Sequence, residues 1–225
     1  MSVLTPISDS IWTLPAPLSI GGLKLNTRAT IVRLQDGGLW VHSPVKLTED
    51  LQAAVAELGP VRWLIAPCLL HHLFIGEWKA AFPEAHILAP KGLNAKRPDL
   101  DIANTIQEGS TWTDEIDLVF LDGFPANQEH LFFHKASQTL IVTDLCFFNP
   151  EASGFTGFYL WVNGVTKQPN IPYLVKFLIK DKAALAQSLA PTRQWKLQHI
   201  SFCHHAILTD NAQAEWHRLL DQIGA

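Results

Sequence analysis

Charged residues are scarce in this chain: only 17% of its 225 residues are Asp, Glu, Lys or Arg, against 48% hydrophobic. That balance excludes a disordered, solvating chain, which needs high charge and little to bury. A cationic excess is also missing. Seventeen Lys and Arg stand against 21 Asp and Glu, the formal net charge is −4, and no basic stripe appears, which argues against a nucleic-acid binder. No apolar run approaches the roughly 18 residues of a bilayer span, so no membrane partner is expected. The opening "MSVLTPISDSIW" lacks a cationic region before an apolar one, and no secretory leader is expected. Cysteine is limited to Cys68, Cys146 and Cys203. An odd number at wide spacing excludes a disulfide framework and suits a reducing compartment, with the cytoplasm as the expected location.

What remains is a chain rich in alternating elements. "TIVRLQ" (30–35) and "LWVHS" (39–43) flank Asp36-Gly37-Gly38, a hairpin signal. Thr48 precedes "EDLQAAVAELG", with acidic residues in the first turn and Gly59 at the end, the signature of a capped helix. "VRWLIAP" (61–67) reads as a buried strand, "FIGEWKAAFP" (74–83) as a helix stopped by proline, and "AHILAP" (85–90) as another strand. This α-β-α-β order implies a sheet with helices on at least one face. Residues 91–109 read as a polar, turn-rich surface segment. Strands follow at 116–123, 129–135 and 139–145, the last two joined by "ASQ". Residues 149–170 read as an ordered but irregular loop or lid, 171–190 as a helix in one or two pieces, 198–205 as a final strand and 211–223 as a C-terminal helix. No domain boundary, repeat or low-complexity tract emerges, so residues 1–225 are read as a single domain.

Polar groups collect at strand ends, where α/β sheets place ligands. His71 and His72 follow one strand, Asp144 another, and His204 and His205 a third. Adjacent histidines on a regular element point apart and converge only in irregular backbone. The plain alternatives are a backbone-capping role for Asp144 and hydrogen-bonded strand-end histidines. His42, His86, His130, His134, His199 and His217 carry no motif. The three cysteines each lie within three residues of one of these groups; they read as small apolar core residues, with thiolate ligation as the alternative.

The order of elements and these strand-end groups resemble the metallo-β-lactamase superfamily over nearly the whole chain. The resemblance implies an α/β fold, specifically an αββα four-layer sandwich with two sheets face to face. The family's H-x-H-x-D-H motif falls on Pro67-Cys68-Leu69-Leu70-His71-His72. Its glycine-turn histidine falls on Phe124 in "LDGFP", its bridging aspartate on Asp144 in "TDLCFF", and its last histidine on His204 in "FCHHAIL", with His205 as the other register. The three ligands of the family's first metal are therefore replaced, by Pro67, Leu69 and Phe124. The four positions of the second metal all carry groups able to bind one: His71, His72, Asp144 and His204. The wider pattern, "LWVHSP" followed by "LIAPCLLHHLFIGEW", resembles a bacterial branch of the superfamily with no assigned function.

The resemblance implies one metal, zinc or iron(II), both of which suit imidazole and carboxylate ligands. A metal-dependent hydrolase of a small ester, thioester, amide or phosphoester follows as the leading expectation, with a small-molecule substrate. A four-ligand zinc site would be closed, and closed zinc sites are usually structural. The first alternative is an inactive binding or scaffold protein with no metal; the second is an iron-based redox or oxygen-sensing protein. The abundant aromatics would suit a homodimer.

Overall fold

Apolar periodicity sets out fourteen strands and eight α-helices among the described residues, 4–204 and 207–225, of this computed structural model. The chain opens with β1 (Thr5–Ser8) and β2 (Ile11–Ala16), then two short strands, β3 (Ser19–Ile20) and β4 (Leu23–Lys24). Next come β5 (Thr27–Arg33), β6 (Leu39–His42), α1 (Glu49–Leu58), β7 (Val61–Ile65), α2 (Ile75–Ala81) and β8 (His86–Ala89). The chain divides into two compact units, one running through Ala16 and resuming at Arg28–Glu115, the other Pro17–Thr27 with Ile116–Ala225.

In the first unit the expected hairpin forms between β5 and β6, with Gly37 at φ 82° in the turn. The Thr48 side chain accepts from the Leu51 amide at 3.2 Å, capping α1. Gly59 ends that helix at φ 149°, and a Cβ there would stand 2.6 Å from the Gly37 carbonyl oxygen, so only glycine fits. β6, β7 and β8 run parallel. The polar segment after them is more ordered than its composition suggests. It forms α3 (Leu93–Lys96), β9 (Ile102–Thr105) and α4 (Ile106–Gly109), and β9 extends the parallel sheet beside β8. Thr105 and Glu108 close a capping box on α4. The result is a seven-stranded sheet ordered β1-β2-β5-β6-β7-β8-β9. Ile31, Val41, Leu64 and Ile87 from the sheet pack with Leu51, Val55, Ile75 and Trp78 from α1 and α2. Complete burial of each such side chain contributes about 1.5–3 kcal/mol.

The second unit carries a five-stranded sheet of β10 (Ile116–Phe120), β11 (His130–His134), β12 (Thr139–Val142), β13 (His199–Phe202) and β14 (Ile207–Leu208), in that order. Only the β12–β13 contact is parallel. The crossover between them contains α5 (Gly154–Val162), α6 (Tyr173–Leu178) and α7 (Lys182–Leu189), and α8 (Ala212–Ile223) closes the chain. Helix α5 replaces the irregular segment expected within 149–170. Its Ser153 N-cap makes no side-chain hydrogen bond, and two glycines dilute its periodicity, so the sequence signal is weak. The helix holds because Thr156 and Leu160 are buried on one side. Leu140, Val142, Ile200 and Phe202 pack with Leu185, Leu189, Trp216 and Leu220 in the core of this unit. No helix among the described residues is long and apolar enough to cross a membrane.

Candidate functional site

In the first unit the strand β7 runs out at Ile65 into irregular backbone, and α2 begins at Ile75. His71 and His72 lie in this stretch, the setting in which adjacent histidines can take up independent directions. They do so. The His71 Nδ1 atom pairs with Ser43 Oγ at 2.8 Å, and Ser43 sits just beyond β6 at φ 50°. The contact engages the Nδ1 side of the ring and turns Nε2 away from the serine, a placement second-shell groups give to ligating histidines. Cys68 Sγ lies within 4.8 Å of a His71 ring nitrogen. Beneath them His42 is buried against Trp40, with ring centroids 5.7 Å apart. Desolvation, followed by the charge of His71, lowers its pKa from 6.5 to about 3. His42 is therefore neutral throughout the physiological range.

His72 is held differently. The Arg97 guanidinium donates to His72 Nδ1 at 3.1 Å and to the His72 carbonyl oxygen at 3.2 Å. Arginine has no acceptor, so Nδ1 must offer its lone pair here and a neutral ring keeps its proton on Nε2. Burial, then the charges of Lys96 and Arg97, push the His72 pKa down. For Nε2 to ligate a metal as a neutral imidazole, Arg97 must release Nδ1. Arg97 is also paired with Asp99 at 2.6 Å.

In the second unit Asp144 and His204 come together. Asp144 follows β12 and is 7% exposed; His204 follows β13 and is 6% exposed. Asn26 presents its carbonyl oxygen 2.8 Å from His204 Nδ1. A carbonyl only accepts, so Nδ1 carries the proton. The other nitrogen, Nε2, faces Asp144 Oδ1, 3.3 Å away. Such a contact with a carboxylate is favourable when a proton on the ring nitrogen or a metal ion lies between the two atoms. The Phe147 ring packs on His204 at 4.6 Å between centroids.

Asp144 rests on a buried carboxylate. Glu129, fully buried at the start of β11, accepts from the backbone amides of Thr143 at 2.9 Å and Asp144 at 3.1 Å. Asn127 bridges the two acids, donating to Glu129 Oε2 and to Asp144 Oδ2, each at 3.1 Å. The turn that delivers Asn127 starts at Phe124, whose carbonyl accepts from the amides of Asn127 and Gln128. Phe124 itself is buried in the apolar core of this unit. In the first unit, Pro67 is buried and Leu69 packs at the core edge.

Sequence reasoning passed over Asn26, Ser43, Arg97, Asn127 and Glu129. Two of these left a signal: Asn127 and Glu129 are polar residues immediately before the apolar run "HLFF". The other three are brought in by tertiary structure. His205, the alternative to His204, lies outside the described residues.

The fold has many relatives among solved structures. A metallo-β-lactamase from Pontibacter korlensis superposes with a TM-score of 0.65 at 13% identity, covering 98% of each chain. The DIM-1 metallo-β-lactamase exposed to ceftazidime gives 0.65 at 12% identity over 97% of this chain and 96% of its own. TMB-1 gives 0.66 at 10% identity over 99% and 98%. Likeness at such identities establishes the fold, and the expected α/β fold of the metallo-β-lactamase type is borne out. No curated protein sequence matches the chain. A family model covers residues 8–153, and by that match the chain belongs to DUF4336, a domain of unknown function carried here on a metallo-β-lactamase-like fold.

Proposed function

We propose that the chain binds one metal ion, zinc or iron(II), through His71, His72, Asp144 and His204, and that it hydrolyses a small ester, thioester, amide or phosphoester. The pairing of ligands from the two halves of the chain rests on the motif order in the sequence. The observation that carries the reading is the His204–Asp144 pair, an imidazole nitrogen and a carboxylate oxygen brought to 3.3 Å in a buried setting. Bound there, the ion would supply Lewis-acid polarisation of a carbonyl or phosphoryl oxygen. The chain's own groups do the positioning: Asn26 fixes the His204 tautomer, Ser43 orients His71, and Asn127 with Glu129 holds Asp144 in place.

A second reading, a metal-free binding protein, is favoured by one contact. Arg97 occupies His72 Nδ1 and brings a cation to within hydrogen-bonding distance of a proposed ligand. Apolar residues at Pro67, Leu69 and Phe124 are compatible with it.

A panel of chromogenic esters, thioesters, amides and phosphoesters, assayed before and after chelation, separates the two. The hydrolase reading expects turnover of at least one class that falls on chelation, returns with added zinc or iron, and is lost in Asp144→Asn. Turnover indifferent to chelator, or none in metal-loaded protein, would favour the binding protein.

A further inference from the structure

Helix α5 is nine residues long without a single charge. Thr156 and Leu160 face inward, while Phe155, Phe158 and Trp161 recur every third residue on the outer side. Helix α6 follows the same plan: Val175 is buried, and Tyr173, Leu174 and Phe177 face outward. These six side chains are between 51% and 77% exposed. The two helices adjoin, because the Leu174 amide donates to Asn163 Oδ1 at 3.2 Å and the Gly164 backbone lies against the Tyr173 ring. A solvent-facing aromatic stripe of this size is uncommon on a soluble surface and marks an interaction site.

The charge around the stripe has one dominant sign. Residues 154–182 contain four lysines, Lys167, Lys176, Lys180 and Lys182, and a single acid, Asp181, in a chain whose net charge is −4. The Lys176 ammonium lies 5.4 Å from the centre of the Tyr173 ring. Burial, then the charges of Arg218 and Lys182, hold its pKa below the ordinary lysine range.

We propose that the outer face of α5 and α6 is a docking surface for an anionic lipid bilayer, lying in the headgroup layer with its aromatic stripe inserted and its lysines on the lipid phosphates. Aromatic and aliphatic residues on one face with lysine around them is the composition of interfacial helices, which lie in the plane of the bilayer surface and do not span it. Charge complementarity favours lipid over a second copy of this chain. A twofold contact apposes the same patch on both copies, which would set the lysine-rich segments against each other.

The test uses the full chain and co-sedimentation with vesicles of phosphatidylcholine alone or of equimolar phosphatidylcholine and phosphatidylglycerol. The proposal expects pelleting with the anionic vesicles only, falling by about tenfold or more in Phe158→Ser/Phe177→Ser and in Lys167→Glu/Lys176→Glu, and weakening in high salt as screening shortens the reach of the lysines. These side chains are solvent-facing, and circular dichroism with thermal melting checks that the variants fold. Because the aromatic and lysine variants act independently, failure of one to fold leaves the other decisive. No pelleting of the wild-type chain at low salt, or equal pelleting by every variant, overturns the proposal. So does a lipid-free dimer that the Phe158→Ser/Phe177→Ser variant converts to a monomer, which would assign the face to a second copy.

Discussion

His204 Nε2 stands 3.3 Å from Asp144 Oδ1 while its opposite nitrogen donates to the Asn26 carbonyl. The backbone carbonyl thus holds a proton on Nδ1 and turns Nε2 toward the carboxylate. Both side chains are nearly buried, so bulk water competes little for this contact. At His71 the Nδ1 side is likewise engaged, by Ser43, while at His72 Arg97 donates to Nδ1.

Removing the charge of Glu129 should loosen the segment that carries Asp144. Glu129→Gln keeps the shape but sets an amide N–H, or a neutral oxygen, against the Thr143 and Asp144 amides and Asn127. Hydrogen bonds to a charged group contribute about 1.5–3 kcal/mol each, so denaturant unfolding should show a loss of about 2 kcal/mol or more. Stability within a few tenths of wild type would contradict the role assigned to this carboxylate.

Arg97→Gln should raise metal affinity. It removes a cation from beside His72 and frees Nδ1 to carry the proton, leaving Nε2 as the donor atom. Outer-shell changes at ligating histidines typically alter metal affinity by about 10–100-fold, and an increase of about tenfold is expected here. Competition titration against a chromophoric chelator measures it. An unchanged or lower affinity would mean that His72 does not ligate, or that Arg97 is needed to shape the loop.

Acid should destabilise the second unit through His134. This side chain is 1% exposed and its Nδ1 pairs with Ser137 Oγ at 2.7 Å. The Ser137 proton goes to Thr139 Oγ1, so His134 is the donor. Burial lowers the His134 pKa from 6.5 to about 4. Between those values the unfolded chain binds a proton that the native state refuses. The contribution is therefore complete above pH 6.5, declines as pH falls, and levels off below about pH 4, with a loss of about 1–2 kcal/mol by pH 5. His134→Asn retains a donor for Ser137 without titrating, and its unfolding free energy should change less between pH 7 and pH 5. Equal slopes for wild type and variant would remove His134 as the cause.

Much of the architecture was legible because local signals agreed. Thr48, Gly59 and the Asp36-Gly37-Gly38 turn mark their elements with short-range chemistry, and each element forms near where it was expected. The short elements within the polar surface segment 91–109 leave little trace in its composition, because β9 is only four residues long and gains its partner from β8; the Thr105–Glu108 capping box is present in the letters all the same. Helix α5 was misread because its buried face rests on two residues. At the site, the strand-end positions of His71, Asp144 and His204 follow from the order of elements. Their tautomers do not. Asn26 lies 178 residues from His204, and Arg97 lies 25 from His72, so no local pattern links either pair.

Elemental analysis of freshly purified, untagged protein, with no metal added, tests the central claim most directly. About one zinc or iron per chain is expected, falling to background in both His204→Ala and Asp144→Asn. Metal-free wild-type protein, even after reconstitution with zinc or iron(II), or full metal content in both variants, would contradict the account.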